Sequence, residues 1–409
     1  RMKSVLLFSL LLLLGLGLSQ VLPTALGSLA SPFDAMVHLV TLVLLAFIMI
    51  GVGYGFELDR TKLRSYGKDA LIALSAAVIP WLLCAGYFAM VLAPASERGS
   101  SEAWRAAMVT GLFSAPTSAG VLFSMLAAAG LGATWMFHKA RNLAIFDDLE
   151  VILLLIPLKI LVEGFKPQLL LTVAVMLGLL WFGFSRMRTV RLSPTWMELL
   201  MAAGLIVTIT ELLYVASKWW DKSAPIHLEV LLPAFVYGCV LARPEGSDPH
   251  RNDALEGHIE GPEDPDSQRA ALVISGLFMV CVGLSMPPLQ DTLAPGQVWP
   301  GWGVIALHTA IVTVLMNLGK MLPALCYRKE ASPRERLALA IALWPRGEVG
   351  AGVIVLALGY GISGLAVTVA LLSLTANLLL TGVFIAAVRY LLAGSVPATS
   401  PRDSATINA

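Results

Sequence analysis

With 57% hydrophobic and 13% charged residues, this 409-residue chain has too little polar surface to cover a water-soluble globule. Its mean hydropathy of +0.79 points to a polytopic membrane protein. The formal net charge of +1 is uninformative, and no nucleic-acid partner is expected.

Apolar runs of about 20 residues, the length that crosses a hydrocarbon core, fall roughly at 4–20, 35–55, 70–94, 104–130, 135–162, 168–185, 196–216, 228–242, 270–288, 302–327, 336–359 and 364–391. The runs are continuously apolar rather than alternating, which implies helices and not a barrel. The expected fold class is an all-α polytopic membrane protein with about twelve transmembrane helices. The first run also resembles a signal peptide, because Arg1 and Lys3 precede a Leu-rich stretch and small residues surround Ala25 to Ser28. A retained helix is the expectation.

Basic residues orient these spans, since cytoplasmic loops collect Lys and Arg. With the N-terminus inside, 20 of the 28 basic residues fall on inside segments. The outside loops hold only Arg98, Arg105, Lys166, Lys218 and Lys222, and Lys159, Lys320 and Arg346 lie within spans. Both termini are therefore expected in the cytoplasm, of a protein in the inner cell membrane. Residues 1–242 read as an N-terminal half and 270–392 as the C-terminal spans. Between them, 243–269 reads as a polar, Pro- and Gly-rich cytoplasmic loop, and 393–409 as a disordered tail.

Several patterns carry no chemistry. The glycines from Gly51 to Gly55 lie inside an apolar helix with no strand before them, so they read as helix packing rather than a dinucleotide fingerprint. Cys84, Cys239, Cys281 and Cys326 sit singly in apolar spans and read as small core residues. No cofactor is expected.

Chemistry concentrates in the fourth and fifth runs. Asp147 and Asp148 are adjacent carboxylates inside a helix, pointing about 100° apart. An ionisable group near mid-bilayer costs on the order of 3 kcal/mol or more, which makes such acids candidates for an ion pathway or proton relay. A pair capping a helix end would be the bland alternative, but Lys139 and Arg141 set the interface several residues earlier. Just upstream, Pro116, Thr117 and Ser118 interrupt an apolar run. Pro116 removes a backbone donor, and the hydroxyls with the freed carbonyls could replace the hydration water of a small cation. A simple proline kink would explain Pro116 alone.

Two later elements complement the acids. Lys320 is a buried cation that needs a carboxylate, for which Asp147 is the natural candidate. A buried lysine titrates readily, so that bond could break and reform with protonation. The stretch from Trp344 to Gly350 interrupts another span with Arg346 and Glu348, which can pair with each other or across helices.

In these residues the chain resembles the monovalent cation/proton antiporter superfamily, in its paired-aspartate branch of electrogenic sodium/proton antiporters. The residues that carry the resemblance are Gly55-Phe56-Glu57-Leu58-Asp59, Thr117-Ser118, Asp147-Asp148, Ala234-Phe235 with Gly238, Gly319-Lys320, and Pro345-Arg346-Gly347-Glu348-Val349-Gly350. The resemblance implies inverted repeats with crossed broken helices, and a core domain beside a dimerisation domain that forms a homodimer. It implies cation and proton binding, with sodium as the transported metal, at Asp148, Asp147, Thr117 and Ser118, with Asp148 as the main carrier. It further implies coupling or structural ion pairs at Lys320, Arg346 and Glu348. The partners implied are membrane lipid, protons, and sodium or another monovalent cation; the protein is expected to be no enzyme. Potassium/proton exchange on the same scaffold is the alternative. An intramembrane aspartyl protease is disfavoured by the adjacency of Asp147 and Asp148, and a cation channel by the absence of a loop like a selectivity filter.

Overall fold

The computed structural model describes residues 2–55, 63–132, 134–165, 167–186, 189–190, 195–220, 230–241, 265–287, 289 and 300–393. The expected motif residues Phe56 to Asp59, most of the expected loop 243–269 and nearly all of the tail lie outside them. Among the described residues the chain is helical, and its sole bridge joins Val190 to Leu241.

The helices are α1 Met2–Leu26, α2 Ala30–Gly55, α3 Leu63–Tyr87, α4 Ser101–Gly111, α5 Ala119–Ala128, α6 Trp135–Glu163, α7 Pro167–Ser185 and α8 Trp196–Trp220. Then come α9 Leu231–Val240, α10 Pro265–Leu284, α11 Trp302–Gly319, α12 Pro323–Cys326, α13 Pro333–Ala342, α14 Glu348–Gly359 and α15 Leu365–Leu392. Helix α10 starts inside the stretch expected to be loop, with Asp266 and Arg269 paired across its first turns at 3.8 Å.

Seven helical stretches among the described residues are long and apolar enough to cross a membrane, the first being the double-length Val5–Tyr54. Three apolar helices are shorter: Val173–Gly183, Leu231–Val240 and Val349–Gly359. The twelve expected runs therefore do not all stand as full-length spans. Run 336–359 is cut in two between α13 and α14, and run 228–242 shrinks to the 10 residues of α9. Hydropathy averages over an interruption of a few residues and so reads two half-helices as one.

Local signals set the helix ends. Ser100 caps α4 through the Ala103 N–H at 3.0 Å, and Thr134 caps α6 through the Phe137 N–H at 3.2 Å. Helix α13 opens with Pro333 behind a capping box, in which Ser332 and Glu335 each satisfy the other's backbone N–H.

Close backbone contacts join the outer helices. A Cβ on Gly53 of α2 would stand 2.2 Å from the Phe235 carbonyl of α9, and one on Gly238 would stand 2.2 Å from the Ile50 carbonyl. These glycines let two backbones touch, as small residues do in membrane bundles. Helix α1 packs along α10 with Val5, Phe8 and Leu12 buried. Inside, α3 packs on α6 and α11, while α13 packs on α15 and α6. Cys84 and Cys239 are buried, and all four cysteines are free.

Candidate functional site

Two interrupted helices meet at the centre of this inner group. After α4 come a 3-10 turn at Leu112–Ser114 and a link to Ser118, the N-cap of α5. After α13, residues 343–347 separate it from α14. Each link holds a proline, Pro116 or Pro345, with no N–H to continue a helix.

The links satisfy one another. The Ser118 N–H donates to the Pro345 carbonyl at 3.0 Å, and Thr117 Oγ1 donates to the Leu343 carbonyl at 3.1 Å. Backbone without water must find partners inside the protein, and here one interruption supplies them to the other. Gly347 permits the approach: a Cβ there would stand 3.0 Å from Ser118 Oγ and 3.2 Å from Val282 Cγ1.

Asp147 reaches this crossing from α6. Its Oδ2 accepts the Thr117 N–H at 2.7 Å and Lys320 Nζ at 2.7 Å. Lys320 Nζ also donates to Thr117 Oγ1 at 3.0 Å. Asp147 is 2% and Lys320 1% exposed, so the pair lies out of water. Thr117 immediately precedes the N-cap of α5, which sets the carboxylate at the positive end of that helix dipole. The other carboxylate oxygen, Oδ1, is buried with no hydrogen-bond partner.

Arg346 corrects the expectation of a pair with Glu348. The guanidinium is fully buried and donates to three carbonyls: Nε to Ser114 at 3.0 Å, Nη1 to Trp344 at 2.7 Å and Nη2 to Met316 at 2.9 Å. Interrupted helices leave free carbonyls at their C-terminal ends, and a planar group with five donors satisfies several at once. Its charge also suits the negative ends of those helices. The Glu348 side chain lies outside the described residues.

The structure thus brings together Thr117, Ser118, Asp147, Lys320 and Arg346. Ser118 Oγ accepts the Val121 N–H at 3.4 Å and so caps α5. Asp148 occupies the next position of α6, its side chain outside the described residues.

Two features were missed by sequence reasoning. Glu150, taken as interfacial or packed, is only 9% exposed. A charged cluster also ties α3, α6 and the link between α12 and α13. Buried Asp69 accepts Lys139 Nζ at 3.1 and 3.0 Å and the Tyr327 hydroxyl at 2.7 Å. Glu330 joins Lys68 at 3.0 Å and Lys139 at 3.1 Å. Both lysines lie over the Tyr327 ring, 4.8 and 4.9 Å from its centre. Burial alone would raise the Glu330 carboxyl, but hydrogen bonds and charge from Lys68 and Lys139 outweigh it and hold the group below its ordinary value. Residues so distant in sequence give no local signal of this cluster.

An integral multi-pass helical bundle with a buried ion pair where two broken helices meet belongs to the class of membrane ion transporters. The sequence model of the family described as "Sodium/hydrogen exchanger, transmembrane" matches residues 4–390, and the chain belongs to that family. It is a monovalent cation/proton antiporter and not an enzyme. Curated proteins provide no match to the chain.

Proposed function

We propose that the protein is an electrogenic sodium/proton antiporter of the paired-aspartate branch, also accepting lithium and working by alternating access. The observation that supports this reading is the buried contact between Asp147 and Lys320, made at the crossing of two interrupted helices. Asp148, next along α6, is the carrier for which the cation and protons compete, with oxygens of Thr117 and Ser118 nearby. When a cation arrives, protons leave. Asp147 and Lys320 separate and rejoin as the site changes protonation, while Arg346 holds the broken ends together.

The proposed architecture has twelve spans with both termini in the cytoplasm of the inner cell membrane. Helices α3, α4 with α5, and α6 form one unit of long, interrupted and long helix. Helices α11 with α12, α13 with α14, and α15 form another in the same order, and the two act as inverted repeats. This core moves against a scaffold that forms a homodimer.

Two protons exchanged for one cation move one net charge, so a potential of 100 mV contributes about 2.3 kcal/mol per turnover. Vesicles containing the purified protein should acidify or alkalinise on addition of sodium or lithium. An imposed potential should drive sodium movement with the pH equal on both sides. Potassium as the only effective cation would replace the sodium assignment, and transport indifferent to potential would overturn the electrogenic one.

A further inference from the structure

Glu150 stands one helical turn beyond Asp147 on α6, and neighbours spaced three apart share a face with Cβ atoms about 5–6 Å apart. The side chain is 9% exposed, and its Oε2 is buried without a hydrogen-bond partner. The charged groups acting on it are Asp147 on its own helix and Lys320 at the end of α11. Lys320 is already engaged by Asp147 Oδ2 and Thr117 Oγ1. Of the other elements packed on α6, α3 presents Asp69, which is taken by Lys139 and Tyr327, and α5 has no titratable residue. The charged residues of α4 and α13 lie in the first halves of those helices, away from the broken ends that meet at the crossing.

A carboxylate buried without a donor is costly unless a counter-charge joins it. A monovalent cation stripped of water needs several oxygens, more than one carboxylate provides. Asp147 Oδ1 and Glu150 Oε2 are both buried oxygens without partners, and they flank the position of Asp148. We infer that Glu150 is a further ligand of the transported cation, supplying a carboxylate oxygen beside Asp148. The inference rests on the antiporter reading above.

The test uses the full-length protein in detergent, with sodium, lithium and potassium chloride as separate probes. Cation binding is read by calorimetry and by cation-dependent thermal protection, with choline chloride as the ionic-strength control. Glu150→Gln keeps the shape and removes the charge, and it should weaken binding of the preferred cation at least tenfold while leaving the midpoint without cation unchanged. Glu150→Asp, which keeps a carboxylate, should recover part of that loss. Affinity within twofold of the unmodified protein for Glu150→Gln would overturn the inference and leave the antiporter reading standing. A Glu150→Gln protein that fails to fold, with Glu150→Asp folded and binding no better than Glu150→Ala, would also overturn it. Absence of cation binding by the unmodified protein would instead sink the antiporter reading, and the inference with it.

Discussion

Replacing Lys320 by methionine removes the only cationic partner of Asp147 and leaves the Thr117 N–H as the sole donor to that carboxylate. Asp147 Oδ1 already has none. Removing one member of a buried ion pair typically costs about 3–5 kcal/mol, because the other charge remains in a low-dielectric site. In a chain of this size each kcal/mol moves a thermal midpoint by roughly one to three degrees, so Lys320→Met should melt on the order of 5 °C lower in detergent. Asp147→Asn should also lower the midpoint, by stranding Lys320 with Thr117 Oγ1 alone. The double variant strands neither charge. Its midpoint should therefore lie well above the sum of the two losses, a coupling that a thermal-shift cycle measures directly. Losses that simply add, within about 0.5 kcal/mol, would refute the claim that this pair is energetically linked.

Asp148→Asn should yield a folded protein in the membrane with no cation-driven proton movement in vesicles; substantial exchange would remove Asp148 as carrier. Glu330 lies below its ordinary carboxyl value in the folded protein, so its contribution is present above the unfolded value and fades as pH falls through the folded one. The midpoint difference between the unmodified protein and Glu330→Gln should thus be clear at pH 7 and vanish below about pH 4; a difference that grows on acidification would contradict the arrangement with Lys68 and Lys139. Gly238→Ala would set a methyl group 2.2 Å from the Ile50 carbonyl. Such overpacking should cost about 1–3 kcal/mol or more, and an unchanged melting midpoint would show that α2 and α9 can separate freely.

The parts of the fold legible from sequence are those written in side-chain chemistry. Pro116 and Pro345 mark both helix breaks because a missing N–H is a property of the residue itself. The contact of Lys320 with Asp147 was legible because two opposite charges in apolar spans have few other places to go, and Gly51 to Gly55 were legible as packing because no strand preceded them. The carbonyl partners of Arg346 were not legible, since every residue has a carbonyl and no letter shows which ones a helix break will free. Nor was the burial of Glu150, which depends on the helices that cover α6 rather than on α6 alone. Asp69, Lys139, Tyr327 and Glu330 come from three separate segments, and only the tertiary fold brings them within reach.

The guanidinium held by the Ser114, Trp344 and Met316 carbonyls has partners that never gain or lose a proton. Its unit of positive charge is therefore constant at every stage of transport, whatever happens at the acids. A cation moving along α6 meets in it a permanent repulsion just behind the crossing of the broken helices, which should act as an electrostatic back wall. The ion is turned toward the acids of α6 and kept from slipping between the half-helices, so exchange can proceed without an open leak.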